Sequence, residues 1–155
     1  MDDYTLEFLK QLKEISTNMI IVVNGRLEGN AFNQITDNII VRKNQGFDAA
    51  AYKYVFENEK FYPLVESADE LVLCNSSFYG PFIPFTNIFE KMSKETCDFW
   101  GISSSRSNFT WHIQSYFIVY REKVLRKHLL EKFFKNYVNY RSEEHTSELH
   151  SLAYL

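Results

Sequence analysis

The chain predicts an α/β domain in which a mostly parallel sheet is flanked by helices. Segments with helical spacing alternate with short strand-like runs through most of the 155 residues. Those runs are continuously apolar and do not alternate with polar residues, the pattern of strands covered on both faces. The length suits a single domain with a sizeable core and leaves little room for a second.

Taken in order, Tyr4 to Ile15 sets Leu6, Leu9, Leu12 and Ile15 three residues apart, with Phe8 alongside and Lys and Glu between them, an amphipathic helix. Met19-Ile-Ile-Val-Val23 reads as a buried strand closed by the turn signal Asn24-Gly25. Leu27 to Gln34 predicts a short helix, and Asn38-Ile-Ile-Val-Arg42 the second strand, with Lys43 to Gly46 as its exit loop. Phe47 to Phe56 returns to helical spacing around Ala49, Ala50 and Ala51, strong helix formers. Asp48 falls near the N-terminus of that helix, where a carboxylate caps N–H groups and meets the positive dipole end. Leu71-Val-Leu-Cys74 is the third strand, ending at Asn75. A loop with Pro81 and Pro84 then leads into a helix reaching Met92. Asp98 to Ile102 and Tyr116 to Tyr120 are further strand candidates, and Val124 to Tyr140 a closing helix.

Composition narrows the function class. Net charge is −3, so no global field favours nucleic acid or an anionic membrane. The basic stretch from Arg121 to Lys135 is interleaved with Leu and Phe and reads as a solvated helix face. No run approaches the length of a transmembrane segment and no signal peptide opens the chain, which points to a cytoplasmic location. Two cysteines, Cys74 and Cys97, are not a disulfide framework. Aromatic residues reach 17%, a load that serves equally a Phe-rich core or a groove that stacks on bases and sugars.

Three phrases sit where predicted strands end, the place at which open α/β folds bind ligands. They are Arg42-Lys-Asn-Gln-Gly-Phe-Asp48, Asn75-Ser-Ser-Phe-Tyr-Gly-Pro81, and Asp98-Phe-Trp-Gly101 with His112-Ile-Gln-Ser-Tyr-Phe117. Gly46 lets the backbone approach a ligand, and the following helix N-terminus favours an anion. Ordinary turn chemistry explains Asn44-Gln45-Gly46 as well. Asp98 and His112 are candidate bases for deprotonating a hydroxyl. Trp100 and Trp111 are candidates for stacking on a sugar or for filling the core.

Together these phrases resemble the rhamnan synthesis F family of bacterial polysaccharide glycosyltransferases. The resemblance covers about Tyr4 to Tyr140 and rests on Asn24-Gly25, Arg42, Asn44, Gly46, Asp48, Ala51-Tyr52-Lys53, Asn75, Ser77, Gly80-Pro81, Asp98 to Gly101, His112 and Gln114 to Phe117. It implies a GT-A-like domain, a nucleotide-sugar donor such as dTDP-rhamnose, and a polysaccharide or lipid-linked glycan acceptor, with work at the inner face of the membrane. Asn24, Asn44, Gly46 and Asp48 would lie on the donor side, and Asn75 and Ser77 would face the diphosphate. Asp98 or His112 would act as base, with Trp100 and Gln114 walling the sugar or acceptor. A divalent cation, Mg or Mn, belongs to the same picture, but Ser76 stands where the family usually carries Asp. No metal ligand is therefore assigned. A degenerate fold that binds a nucleotide-sugar or glycan without turnover is the competing expectation.

The resemblance also implies a domain incomplete at both ends, because the family begins with a strand ahead of the first helix. Residues 141–155 read as a non-native tail after a domain of residues 1–140. Synonymous codons for Arg141-Ser-Glu-Glu-His-Thr-Ser-Glu-Leu149 spell a string similar to a common sequencing-library adapter, which would read Gln at His150. His145 and His150 are accordingly not counted as ligands.

Overall fold

The computed structural model describes residues 3–27, 29–77, 80–107, 110–138 and 151–154. Helix α1 (Asp3–Ile15) leads to strand β1 (Ile21–Asn24), a single 3-10 turn (Ala31–Gln34), β2 (Ile39–Arg42), α2 (Phe47–Glu57), α3 (Tyr62–Glu66) and β3 (Glu70–Asn75). Then come α4 (Phe85–Ser93), β4 (Phe99–Gly101), β5 (Ser104–Ser107), β6 (Thr110–Ile113), β7 (Phe117–Arg121), α5 (Glu122–Arg126), α6 (Leu129–Lys135) and β8 (Ser151–Tyr154). No helix among the described residues is long and apolar enough to cross a membrane.

Alternation along the strands divides the core into two. Ile21, Val23, Val72, Cys74, Phe117 and Val119 face α1 and α4. Ile20, Val22, Leu71 and Leu73 face α2, α3, α5 and α6. The result is helices on both faces of a strand layer, as the continuously apolar runs require. Much of the aromatic content is structural. Phe85 stacks on Phe117 with ring centroids 5.3 Å apart, and Phe89 meets Trp100 edge-on at 5.0 Å.

The mixed α/β class stands, but strand direction departs from expectation. β1 and β2 pair parallel, whereas β7 runs antiparallel between β3 and β4, and β8 runs antiparallel along the other edge of β3. Burial on both faces reports coverage by helices, not strand direction, so the apolar runs could not reveal this. The β5–β6 hairpin returns the chain from β4 to β7 and makes the reversal possible. Its strands, Ser104-Ser-Arg-Ser107 and Thr110-Trp-His-Ile113, are too polar and exposed to show as apolar runs.

Two predicted helices are also shorter than expected. Gly29, at φ +74°, breaks the Leu27–Gln34 segment and leaves only its last turn. The closing helix splits at His128, which takes a left-handed φ of 52°. Its buried positions, Val124 and Leu125 and then Leu130 and Phe134, skip the turn in which His128 falls. Residues 139–150 of the expected helix end and tail lie outside the described residues, whereas Ser151–Tyr154 is described as strand β8.

Charged side chains finish the ends. Arg121 pairs through Nε with Glu70 Oε1 at 2.9 Å and donates to the carbonyls of Met92, Glu95 (2.6 Å) and Cys97 (3.3 Å), satisfying the C-terminal end of α4. Lys53 donates to the carbonyls of Lys135 and Tyr137, at 3.0 and 3.1 Å, and ties α2 to the end of α6. Glu131 accepts from Lys135 at 2.7 Å and from the Tyr62 hydroxyl at 2.6 Å, with His128 Nδ1 at 3.0 Å. The bonds from Lys135 and then Tyr62 hold the Glu131 carboxyl down from 4.5 to about 2.

Two outcomes follow. A depressed folded pKa means the unfolded chain takes up the proton first. The stability contributed by Glu131 is therefore intact above about pH 4.5 and is lost as the pH falls towards 2. Urea midpoints across that window should fall for the parent chain and change less for Glu131→Gln. Separately, a Cβ at Gly101 would collide with Ile113 Cγ2 and press on the Phe117 carbonyl. Gly101→Ala should cost about 1–3 kcal/mol in denaturant unfolding, because a branched side chain anchored in the hairpin must move.

Candidate functional site

Three strands running the same way deliver polar residues to one end. β1 finishes at Asn24, β2 at Arg42 and β3 at Asn75. Arg42 ties the ends of β1 and β2 together, since Nη1 donates to Asn24 Oδ1 and Nη2 to the Gln45 carbonyl, both at 2.6 Å. The second bond folds the β2–α2 loop back over the guanidinium. Asn24 is buried at 3% exposure, so Arg42 supplies a donor that its side-chain carbonyl needs. Burial pulls the Arg42 pKa below its usual value, while a guanidinium stays charged at any physiological pH.

The loop from β2 ends in two successive left-handed residues, Gly46 at φ 79° and Phe47 at φ 52°. Glycine takes that conformation without cost, but Phe47 is strained. The turn starts α2 abruptly and puts Asp48 in its first turn, facing β3. There Asp48 Oδ2 accepts from Asn75 Nδ2. Asn75 Oδ1 in turn accepts from the Ser77 backbone N–H at 3.0 Å, which shapes the chain leaving β3. Below this pair, the Tyr52 hydroxyl donates to the Cys74 carbonyl at 3.1 Å. Burial pushes both the Tyr52 phenol and the Cys74 thiol well up, with a smaller push from the Asp48 charge. Both stay neutral, so Cys74 is a core residue and not a nucleophile.

A cleft of about 350 Å³ opens beside Asp48, between α2, β7 and α6. Phe47, Tyr52, Tyr120, Phe133 and Phe134 give it an aromatic wall. Among the described residues, no three His, Cys, Asp or Glu side chains gather as a metal-binding group.

The expected site residues divide accordingly. Asn24, Gly46, Asp48, Asn75 and Ser77 come together, with Asn44 half-buried in the same loop. His112 and Gln114 belong to the β5–β6 hairpin and its exit, at the same end of the strand layer. Gln114 N donates to the Ser103 carbonyl at 3.0 Å, and Asn75 N to the Tyr116 carbonyl at 3.1 Å. Asp98 is not brought to this site. It precedes β4, at the opposite end of the layer, where Lys123 pairs with its carboxylate at 2.7 Å. Trp100 is buried at 5% exposure against Phe89 and Phe117, so it is a core side chain and not a groove wall. Phe78 and Tyr79 of the second phrase lie outside the described residues. Arg42 was absent from the expected site, although a cation ending the run Ile39-Ile40-Val41 was its signal.

Polar groups are thus gathered at the strand ends of an α/β layer, the position at which such layers offer a candidate site. The chain matches the rhamnan synthesis protein F family over residues 19–153, and it belongs to that family. It is also similar to the virulence protein VirA of Vibrio anguillarum, both in strain ATCC 68554 / 775 and in a second record of the species. Identity is 30% over 98 residues, covering 63% of this chain and 30% of each relative, so the chain spans less than a third of the curated relatives it matches. No solved structure matches it.

The Asp48–Asn75 contact gives a direct test. Asn75→Ala removes a buried donor and should lower stability by about 1–3 kcal/mol. Asn75→Asp sets a second carboxylate against Asp48, so its deficit should be larger at neutral pH than in mild acid, where one of the two holds a proton. Chemical denaturation of both variants at the two pH values checks this.

Proposed function

We propose that this site binds a nucleotide-activated sugar and serves glycosyl transfer. The donor is dTDP-rhamnose, and the acceptor is a growing cell-surface polysaccharide or lipid-linked glycan at the inner face of the membrane. Membership of the rhamnan synthesis protein F family supports a polysaccharide substrate. The observation that carries the reading is the meeting of Asn24, Arg42, Asp48 and Asn75 at one end of three like-directed strands, beside an aromatic cleft.

In this reading the donor's diphosphate lies against Arg42 and the first-turn N–H groups of α2, a cation and a dipole end suited to an anion. The aromatic cleft receives a ring of the donor, and Asp48 and Asn75 bond its hydroxyls. An acceptor oxygen attacks the anomeric carbon as the bond to the diphosphate breaks, and the acceptor proton passes to His112. Asp98 has no part in this step. The donor set of one carboxylate among neutral amides and hydroxyls suits Mg or Mn arriving with the diphosphate better than a cation held by the protein alone.

A second reading, binding without turnover, is favoured by the neutral Asn75-Ser76-Ser77. Calorimetry with dTDP-rhamnose and an assay for released dTDP separate the two. Arg42→Ala should weaken donor binding at least about tenfold, the worth of a charged hydrogen bond, while Lys94→Ala on the distant α4 should not. Binding without release of dTDP would favour the second reading. Equal affinity in the parent chain and Arg42→Ala would remove this site from both.

A further inference from the structure

We propose that the β5–β6 hairpin is a glycan platform, on which Trp111 stacks against a non-reacting sugar of the acceptor chain. The inference rests on the polysaccharide acceptor proposed above and names the element that holds it away from the reacting centre.

Trp111 is 70% exposed, whereas Trp100, the other tryptophan of the chain, is 5% exposed in the core. Tryptophan is highly buried on average, so an indole left in water is the informative case. Phe99 and Phe133 are exposed as well, but each is covered by a ring, Tyr120 at 6.0 Å and Phe134 at 5.1 Å. Among the described residues no ring and no cation is stacked on Trp111.

The main-chain ladder decides what surrounds it. Arg106 stands opposite Trp111 and Ser104 opposite Ile113, so strand alternation puts these four on one face of the ribbon. The Arg106 side chain enters no ion pair among the described residues. A flat apolar ring beside a guanidinium and a hydroxyl matches a sugar, which lays its C–H face on the indole and offers its hydroxyls to Arg106 and Ser104. The other face, with Ser105, Thr110 and His112, is polar too. A specific protein partner needs an interface of about 1,000 Å² with an apolar centre, and a single indole on a polar ribbon does not supply one.

The base of the hairpin fixes where the platform lies. Ile113 packs on Gly101 so closely that no Cβ fits there. Gln114 N donates to the Ser103 carbonyl at 3.0 Å, and the Ser103 and Tyr116 hydroxyls bond each other. Asn75 N donates to the Tyr116 carbonyl at 3.1 Å, so this base is bonded to the end of β3 at the candidate site. Trp111 stands three residues before Gln114, about 10 Å back along the strand. That is farther than one sugar ring reaches, and Trp111 projects from the face opposite His112. The sugar it holds is therefore a more distant unit of the acceptor, whose binding places the reacting hydroxyl.

The test titrates the complete chain with a rhamnose tetrasaccharide and reads tryptophan fluorescence. Because Trp100 is buried, the accessible emission belongs to Trp111. The tetrasaccharide should move that emission to shorter wavelength and protect it from acrylamide, and Trp111→Phe, which retains Trp100, should show neither effect. By calorimetry, Trp111→Ala and Arg106→Ala should each bind the tetrasaccharide about tenfold more weakly, with Leu129→Ala on α6 unchanged. Both variants should keep the parent's affinity for dTDP-rhamnose, which separates this inference from the donor reading. Tetrasaccharide binding through Trp111 without donor binding would leave the platform standing and remove the donor reading. Unchanged Trp111 emission, or equal tetrasaccharide affinity in the parent and Trp111→Ala, overturns the platform even where the donor binds.

Discussion

Burial of β3 on both faces is the constraint from which the other arrangements follow. Val72 and Cys74 belong to one core and Leu71 and Leu73 to the other, so each helical layer is anchored on alternate residues of the same short strand. A one-residue slip would exchange the two sets and move Asn75 off Asp48. Pairing with β7 fixes the register, and Arg121, opposite Glu70, locks it at the far end through their ion pair. The position of the Asn75 amide is thus a by-product of core packing.

The two guanidiniums near the strand ends show how one side chain is given two tasks. Arg121 spends its donors on Glu70 and on the last carbonyls of α4, a satisfied structural centre. Arg42 also makes two bonds, but to a neutral amide and a loop carbonyl, so its charge is not neutralised by a carboxylate in those contacts. Arg42 is only partly buried, enough for desolvation to lower its pKa from the usual value. Asp48 carries the opposite charge across the same end and is restrained by Asn75.

Most helices and the strands with apolar runs were legible because burial leaves a periodic trace. The features that escaped lack such a trace. The β5–β6 hairpin is held by main-chain pairing between exposed polar residues, and the break at His128 depends on a backbone angle. In the site, the residues around Gly46 and Asn75 were legible because each closes an apolar run. Asp98 also borders an apolar run, but it comes before its strand, and β4 runs in the direction of β3, so its start lies at the end opposite Asn75. Trp100 was ambiguous for another reason, since a large aromatic serves a core and a sugar platform with the same surface.

Lys53 gives α2 a mechanical role. The helix begins at the Asn75 end of the layer, and nearly two turns later the Lys53 ammonium grips the carbonyls of Lys135 and Tyr137. Those bonds set the gauge of the aromatic cleft, which has Asp48 on one lip and Phe133, Phe134 and Tyr137 on the other. Widening the cleft on this side costs two charge-assisted bonds. The width of the cleft and the path of the polypeptide leaving α6 are therefore tied to one lysine outside the cleft lining.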